Sequence, residues 1–164
     1  MNTNETHLPG QSRTPPTTGR PDKPGRVLVV DDDRELRRFS ATVLGATGYE
    51  VEVAEDGAVG WWALRAGAYD LLITDNEMPK MSGVELVSQM RSEALFIPVI
   101  MATGEVPTEE LERRPELRID ATLLKPFSGE ELLGIVRSVL GSRNRENQGP
   151  VRRREGSVGP ESRL

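Results

Sequence analysis

The sequence predicts an α/β fold with a doubly wound, five-stranded parallel sheet and helices on both faces. Three observations predict it. Five short apolar runs alternate with stretches of helical periodicity. Several runs are apolar at every position rather than at every second one, as in strands covered on both sides. The residues able to do chemistry recur just past the carboxyl ends of those runs, where doubly wound sheets place their ligands.

The predicted strands are RVLVV (26–30), YEVEVA (49–54), DLLIT (70–74), IPVIMA (97–102) and ATLL (121–124). Between and after them, Leu36, Phe39, Val43 and Leu44 mark one helical face, and Val84, Leu86, Val87 and Met90 a second. Leu132, Leu133, Val136, Val139 and Leu140 mark a third. The weakest element lies between Gly104 and Asp120, where Pro107 and Pro115 bracket TEELERR. Pro107 can open a helix and Pro115 should end it, so the spacing predicts about two turns followed by an irregular segment. Trp61 and Trp62 are adjacent and point about 100° apart on a helix, so one is expected in the core and the other outside.

The chain has 164 residues, room for one ordinary domain and tails, and no second folded output module is expected. Residues 1–24, rich in Pro and Thr, and residues 142–164, rich in Arg, Gly and Ser, have compositions that do not bury enough apolar surface to order themselves. They are read as a disordered leader and tail around a folded domain at 25–141. No stretch has the ~20 apolar residues of a membrane span, and the N-terminus lacks the basic-then-apolar order of a secretory signal, so the cytoplasm is the default location. There is no cysteine, and the only histidine is His7 in the leader. Disulfides, thiolate sites and a core phosphohistidine are therefore excluded.

The net charge of −5 is uneven: residues 25–141 carry 21 acidic and 12 basic side chains, and residues 142–164 carry 3 acidic side chains and 6 arginines. An acidic core repels nucleic acid and suits a site that collects a cation. The tail arginines are too few and too scattered to argue for binding to DNA.

Asp31, Asp32 and Asp33 follow the first strand, Asp75 ends the third, Thr103 the fourth and Lys125 the fifth. Four segments thus deliver carboxylates, a hydroxyl and an ammonium to one rim. One of the three aspartates is expected to cap the helix starting near Arg34, but three in a row exceed what capping needs. Clustered carboxylates raise one another's pKa unless a cation compensates, and Mg²⁺ takes one or two carboxylates, waters and phosphate oxygens. A carboxylate beside such a cation is a nucleophile toward phosphorus, with Lys125 and Thr103 placed to hold phosphoryl oxygens. The product is an aspartyl phosphate.

In these residues the chain resembles the receiver domains of response regulators, typified by the chemotaxis receiver. RVLVVDDDRELRR resembles the first strand and acidic pair, LLITDNEMPKMSG the acceptor loop, PVIMATG the switch strand and LLKPF the lysine-proline loop. All four stand in order and at family spacing over about 26–141. The resemblance implies a flavodoxin-like strand order 2-1-3-4-5 and a cis bond before Pro126. It implies that Asp32, Asp75 and the main-chain carbonyl of Glu77 bind Mg²⁺, with Asp31 acting through metal-bound water. It further implies that Asp75 takes its phosphoryl group from the phosphohistidine of a sensor histidine kinase or histidine phosphotransferase, and that the protein is a switch for a downstream protein target rather than an enzyme.

The chain departs from the family at Thr122, three residues before the lysine, where many receivers carry an aromatic ring. With the Pro-bracketed fourth helix on the same surface, signalling is expected to use order and disorder in residues 104–120. Gly104 leaves the acceptor side open. The Glu77 carboxylate is expected to tune phosphoryl lifetime, which dephosphorylation of a Glu77→Ala protein measures. A haloacid-dehalogenase phosphatase needs Asp-x-Asp-x-Thr/Val after the first strand, but Glu35 follows Asp31 and Asp33. No Gly-x-Gly-x-x-Gly follows any strand, which excludes a dinucleotide fold of that type. A receiver-fold binding module that works without phosphorylation is the competing reading.

Overall fold

The computed structural model describes residues 25–147; the leader at 1–24 and the tail at 148–164 lie outside the described residues. In chain order the elements are β1 (Arg26–Val30), α1 (Arg34–Ala46), β2 (Glu50–Ala54), α2 (Gly57–Ala66), β3 (Leu71–Thr74) and α3 (Gly83–Ser92). They continue with β4 (Val99–Thr103), α4 (Thr108–Arg113), a 3₁₀ turn (Pro115–Leu117), β5 (Ala121–Leu124) and α5 (Gly129–Asn147). All strand pairs are parallel, in the order 2-1-3-4-5, so the topology matches the expectation.

Each face of the sheet builds its own core, because alternate strand residues point to opposite sides. Leu28, Val30, Leu72, Val99 and Met101 pack with α2, α3 and the 3₁₀ turn. Val27, Val29, Leu71, Ile73, Ile100 and Ala102 pack with α1 and α5. The strands at the centre of the sheet are buried at almost every position, as the continuous apolar runs predict.

Helix starts are set by side chains that satisfy the first free N–H groups. Asp33 caps α1 and Asp56 caps α2, while Ser82 with Glu85 forms a capping box on α3. Ser128 and Glu131 exchange the same pair of bonds at the start of α5.

Three expectations are adjusted. Phe39 is 38% exposed and sits beside Phe127, ring centroids 6.3 Å apart; the small Ser40 instead turns inward with Leu44. Helix α5 continues past 141 to Asn147. Strand β4 begins at Val99, not Ile97, because Pro98 has no N–H to pair and gives only its carbonyl, to Leu72. The fourth helix is a short six residues, as its prolines predict. Trp61 is buried and Trp62 is 70% exposed.

The segment between α4 and β5 is tied to α3 by two arginines. Arg91 donates to the main-chain oxygens of Leu95, Leu117 and Arg118, and Arg114 Nη2 donates to Ser88 Oγ.

Candidate functional site

The carboxyl ends of β1, β3, β4 and β5 converge on one rim. Asp31 leaves β1, and its main chain is fixed on both sides: its N–H donates to Ala54 and its carbonyl accepts from Arg37 Nη1 at 2.7 Å. Its carboxylate is buried, with Oδ1 accepting the N–H of Asp33 at 2.8 Å. Asp32 is exposed, and Asp33 turns away to cap α1 through the N–H groups of Glu35 and Leu36. The run of three aspartates thus divides into two at the rim and one cap.

Asp75 extends β3 by one residue, donating its N–H to Val30 at 2.9 Å, and is 5% exposed. Its carbonyl accepts the Thr74 hydroxyl, and its Oδ1 accepts the Glu77 N–H at 3.2 Å. Helix α3 begins so close behind it that a Cβ at Gly83 would lie 2.2 Å from the Asp75 carbonyl oxygen. Only glycine allows that approach.

Lys125 follows β5 and is held there by its N–H bond to Thr103; the peptide bond to Pro126 is cis, as expected. Its Nζ lies 2.8 Å from Asp31 Oδ2 and 2.8 Å from Asp75 Oδ2. One carboxylate oxygen each of Asp31, Asp32 and Asp75 lies within 4.8 Å of the others. Burial raises the pKa of Asp31 above its ordinary value, against the lowering effect of Lys125. Burial alone would lower Lys125, but its bonds to Asp31 and Asp75 outweigh this and hold the ammonium above its usual value.

Thr103 ends β4 and is fully buried, yet its Oγ1 has no hydrogen-bond partner among the described residues. Such groups are rare in folded proteins, because each forfeits its bonds to water. Next to it, Gly104 faces open space on its Cβ side. A polar rim with one cation, three carboxylates and an unsatisfied hydroxyl suits a divalent ion together with an anion rich in oxygen acceptors.

Of the residues picked out in the sequence, Asp31, Asp32, Asp75 and Lys125 meet directly and Thr103 stands at the same end of the sheet. Glu77 is exposed in the loop after Asp75. Thr122 is exposed on β5 opposite Met101, two positions before the partner of Thr103, and does not join the rim. Sequence reasoning missed Arg37, Asp56 and Lys80; an Asp directly before Gly57 and an apolar helical stretch is the capping signal that marks Asp56.

The family profile of the response regulator receiver domain matches residues 27–137. Among curated proteins, the response regulator MprA of Mycobacterium sp. (strain KMS) is 35% identical over 127 residues, which cover 77% of this chain and 55% of that protein. The chain therefore spans about half the length of the curated relatives it matches. Among solved structures, the chemotaxis response regulator CheY4 of Vibrio cholerae is 33% identical, with a TM-score of 0.66, covering 71% of this chain and 99% of that one. The response regulator TrrA of Thermotoga maritima, solved in complex with Mg²⁺ and BeF, is 30% identical with a TM-score of 0.63, covering 70% and 98%. With its sheet order, its acidic rim and these likenesses in agreement, the chain belongs to the response regulator receiver domains, the phosphoacceptor modules of two-component systems.

Proposed function

We propose that Asp75 accepts a phosphoryl group from the phosphohistidine of a sensor histidine kinase or histidine phosphotransferase, and that the aspartyl phosphate switches a surface that a downstream protein reads. The observation that carries this is Lys125 bridging Asp31 and Asp75 at 2.8 Å, with its main chain bonded to Thr103, whose buried hydroxyl has no partner among the described residues. A carboxylate oxygen of Asp75 attacks phosphorus; the P–N bond breaks, and its electron pair stays on the imidazole nitrogen, which takes a proton. Lys125 pairs with the new phosphoryl oxygens, and the Thr103 hydroxyl donates to one of them, gaining the bond it lacks without the phosphoryl group. Burial keeps these interactions strong.

Asp31, Asp32, Asp75 and the Glu77 carbonyl are the groups that would hold Mg²⁺, and the clustered carboxylates support that reading. When bound, Mg²⁺ supplies positive charge that offsets both the carboxylates and the phosphoryl oxygens. The Glu77 side chain, exposed two residues past the acceptor, would influence the path of hydrolytic water. Output runs through residues 104–120, since Thr122 offers no ring to carry the change. Equal amide exchange in that segment with and without a phosphoryl mimic would remove this route.

Phosphoramidate carries the same P–N bond as phosphohistidine and tests the donor chemistry. Labelling of the wild-type chain and none of Asp75→Asn is expected. A labelled Asp75→Asn protein contradicts Asp75 as the acceptor, and an unlabelled folded wild type contradicts the proposal and favours a binding module that works without phosphorylation.

A further inference from the structure

Outside the rim, Asp56 and Lys80 form an ion pair between the β2–α2 turn and the acceptor loop, 24 residues apart. We infer that this pair is a latch that positions the acceptor loop, and Glu77 within it, for binding the cation. The inference rests on the Mg²⁺ site proposed above.

The two ends of the pair are unequal. The Asp56 side chain is 3% exposed and the Lys80 side chain 66%. One Asp56 oxygen already accepts the Val59 N–H at 2.8 Å, as the cap of α2, and the other takes Lys80 Nζ. A buried carboxylate needs a partner on each oxygen, and Lys80 is the cation that meets this need. Its bond holds the Asp56 pKa below the ordinary carboxylate value.

The backbone at Lys80 pulls against this arrangement. Its φ of 69° lies in the left-handed region, which a side chain with a Cβ disfavours, and its own N–H donates to no partner among the described residues. Lys80 stands five residues after Asp75 and three after Glu77, in a loop closed by the short bonds Met78 N to Asn76 O and Met81 N to Pro79 O. The two turns also touch through their main chains, since a Cβ at Gly57 would lie 2.5 Å from the Met81 carbonyl oxygen. Without the ion pair, the positive φ of Lys80 is left to the Met81 N–H to Pro79 O bond across it and the main-chain contact at Gly57, and any rotation there displaces a loop only a few residues long. The carbonyl of Glu77 moves with it.

A cap alone would also make Asp56 matter, so the test separates capping from latching. Asp56→Asn retains a capping side chain and loses the charge. Lys80→Met changes an exposed side chain, and Lys80→Arg retains the cation. Calorimetric titration of the full chain with Mg²⁺ should show affinity falling about tenfold in Asp56→Asn and Lys80→Met, the low end for groups that orient metal ligands. The double variant should be no weaker than either single, and Lys80→Arg should bind nearly as wild type. Wild-type affinity in either single variant, or losses that add in the double variant, overturns the latch. If the wild type itself binds no Mg²⁺, the cation site fails, and amide exchange of residues 76–81 in Mg²⁺-free protein decides the latch. Faster exchange in both single variants supports it; unchanged exchange overturns it.

Discussion

Replacing Thr103 by Val should make the unphosphorylated protein more stable while weakening its response to a phosphoryl group. The two side chains have nearly the same shape, and Thr103 is fully buried, so the change exchanges a hydroxyl for a methyl without opening a cavity. The hydroxyl has no partner among the described residues, so it contributes its desolvation penalty and no bond. An unsatisfied buried polar group costs about 1–3 kcal/mol, and removing one should stabilise the fold by about 1 kcal/mol once local relaxation is allowed for. For a domain of this size that is a rise in Tm of roughly 4 °C. The phosphoryl-bound state reverses the sign, because a hydrogen bond to a charged oxygen contributes about 1.5–3 kcal/mol. Thermal unfolding with and without Mg²⁺ and beryllofluoride measures both halves. The mimic should bind Thr103→Val roughly 30-fold more weakly, the equivalent of about 2 kcal/mol. A variant that is less stable than wild type without ligand, or that binds the mimic equally well, would refute the reasoning.

Three further outcomes follow from the same geometry. Lys125→Met leaves Asp31 and Asp75 buried without their shared cation; it should lose about 2–3 kcal/mol in urea unfolding and recover more stability on adding Mg²⁺ than wild type does, whereas equal Mg²⁺ stabilisation would count against a shared site. Gly83→Ala places a Cβ 2.2 Å from the Asp75 carbonyl, so despite alanine's better helix propensity it should destabilise by about 1–3 kcal/mol, and an unchanged Tm would show that the backbone yields freely. Asp56 has a folded pKa below its ordinary 3.8, so its ion pair and cap stabilise the fold above that pH and are lost as pH falls through the folded value. In an acid titration of stability the gap between wild type and Asp56→Asn should therefore start to close near about pH 4 and vanish only below the folded value; a gap that stays constant would exclude the linkage.

The strands and the polar residues at their ends were legible because both depend on local pattern. A strand buried on both faces must be apolar throughout, and a rim residue must follow it directly, so Asp31, Asp75, Thr103 and Lys125 could be placed by counting. Strand ends were less legible where one residue's backbone decides, as Pro98 does for β4. The end of α5 was hidden by composition: residues 142–147 read as polar tail, yet Ser142 bonds back to Ser138 and the helix carries on through Gly141. The inward turn of Ser40 in place of Phe39 depends on where the Phe127 ring lies, which periodicity within α1 does not contain. The Asp56–Lys80 contact depends on a left-handed backbone at a non-glycine residue and on two loops meeting in space. Neither has a local sequence signal.

The most direct test of the central claim is the intact mass of the full chain and of Asp75→Asn after exposure to acetyl phosphate, with and without Mg²⁺. The account predicts a single phosphoryl adduct that requires both Asp75 and Mg²⁺. An adduct that persists in Asp75→Asn or forms equally without Mg²⁺, or no adduct on a folded chain that binds Mg²⁺, would contradict it.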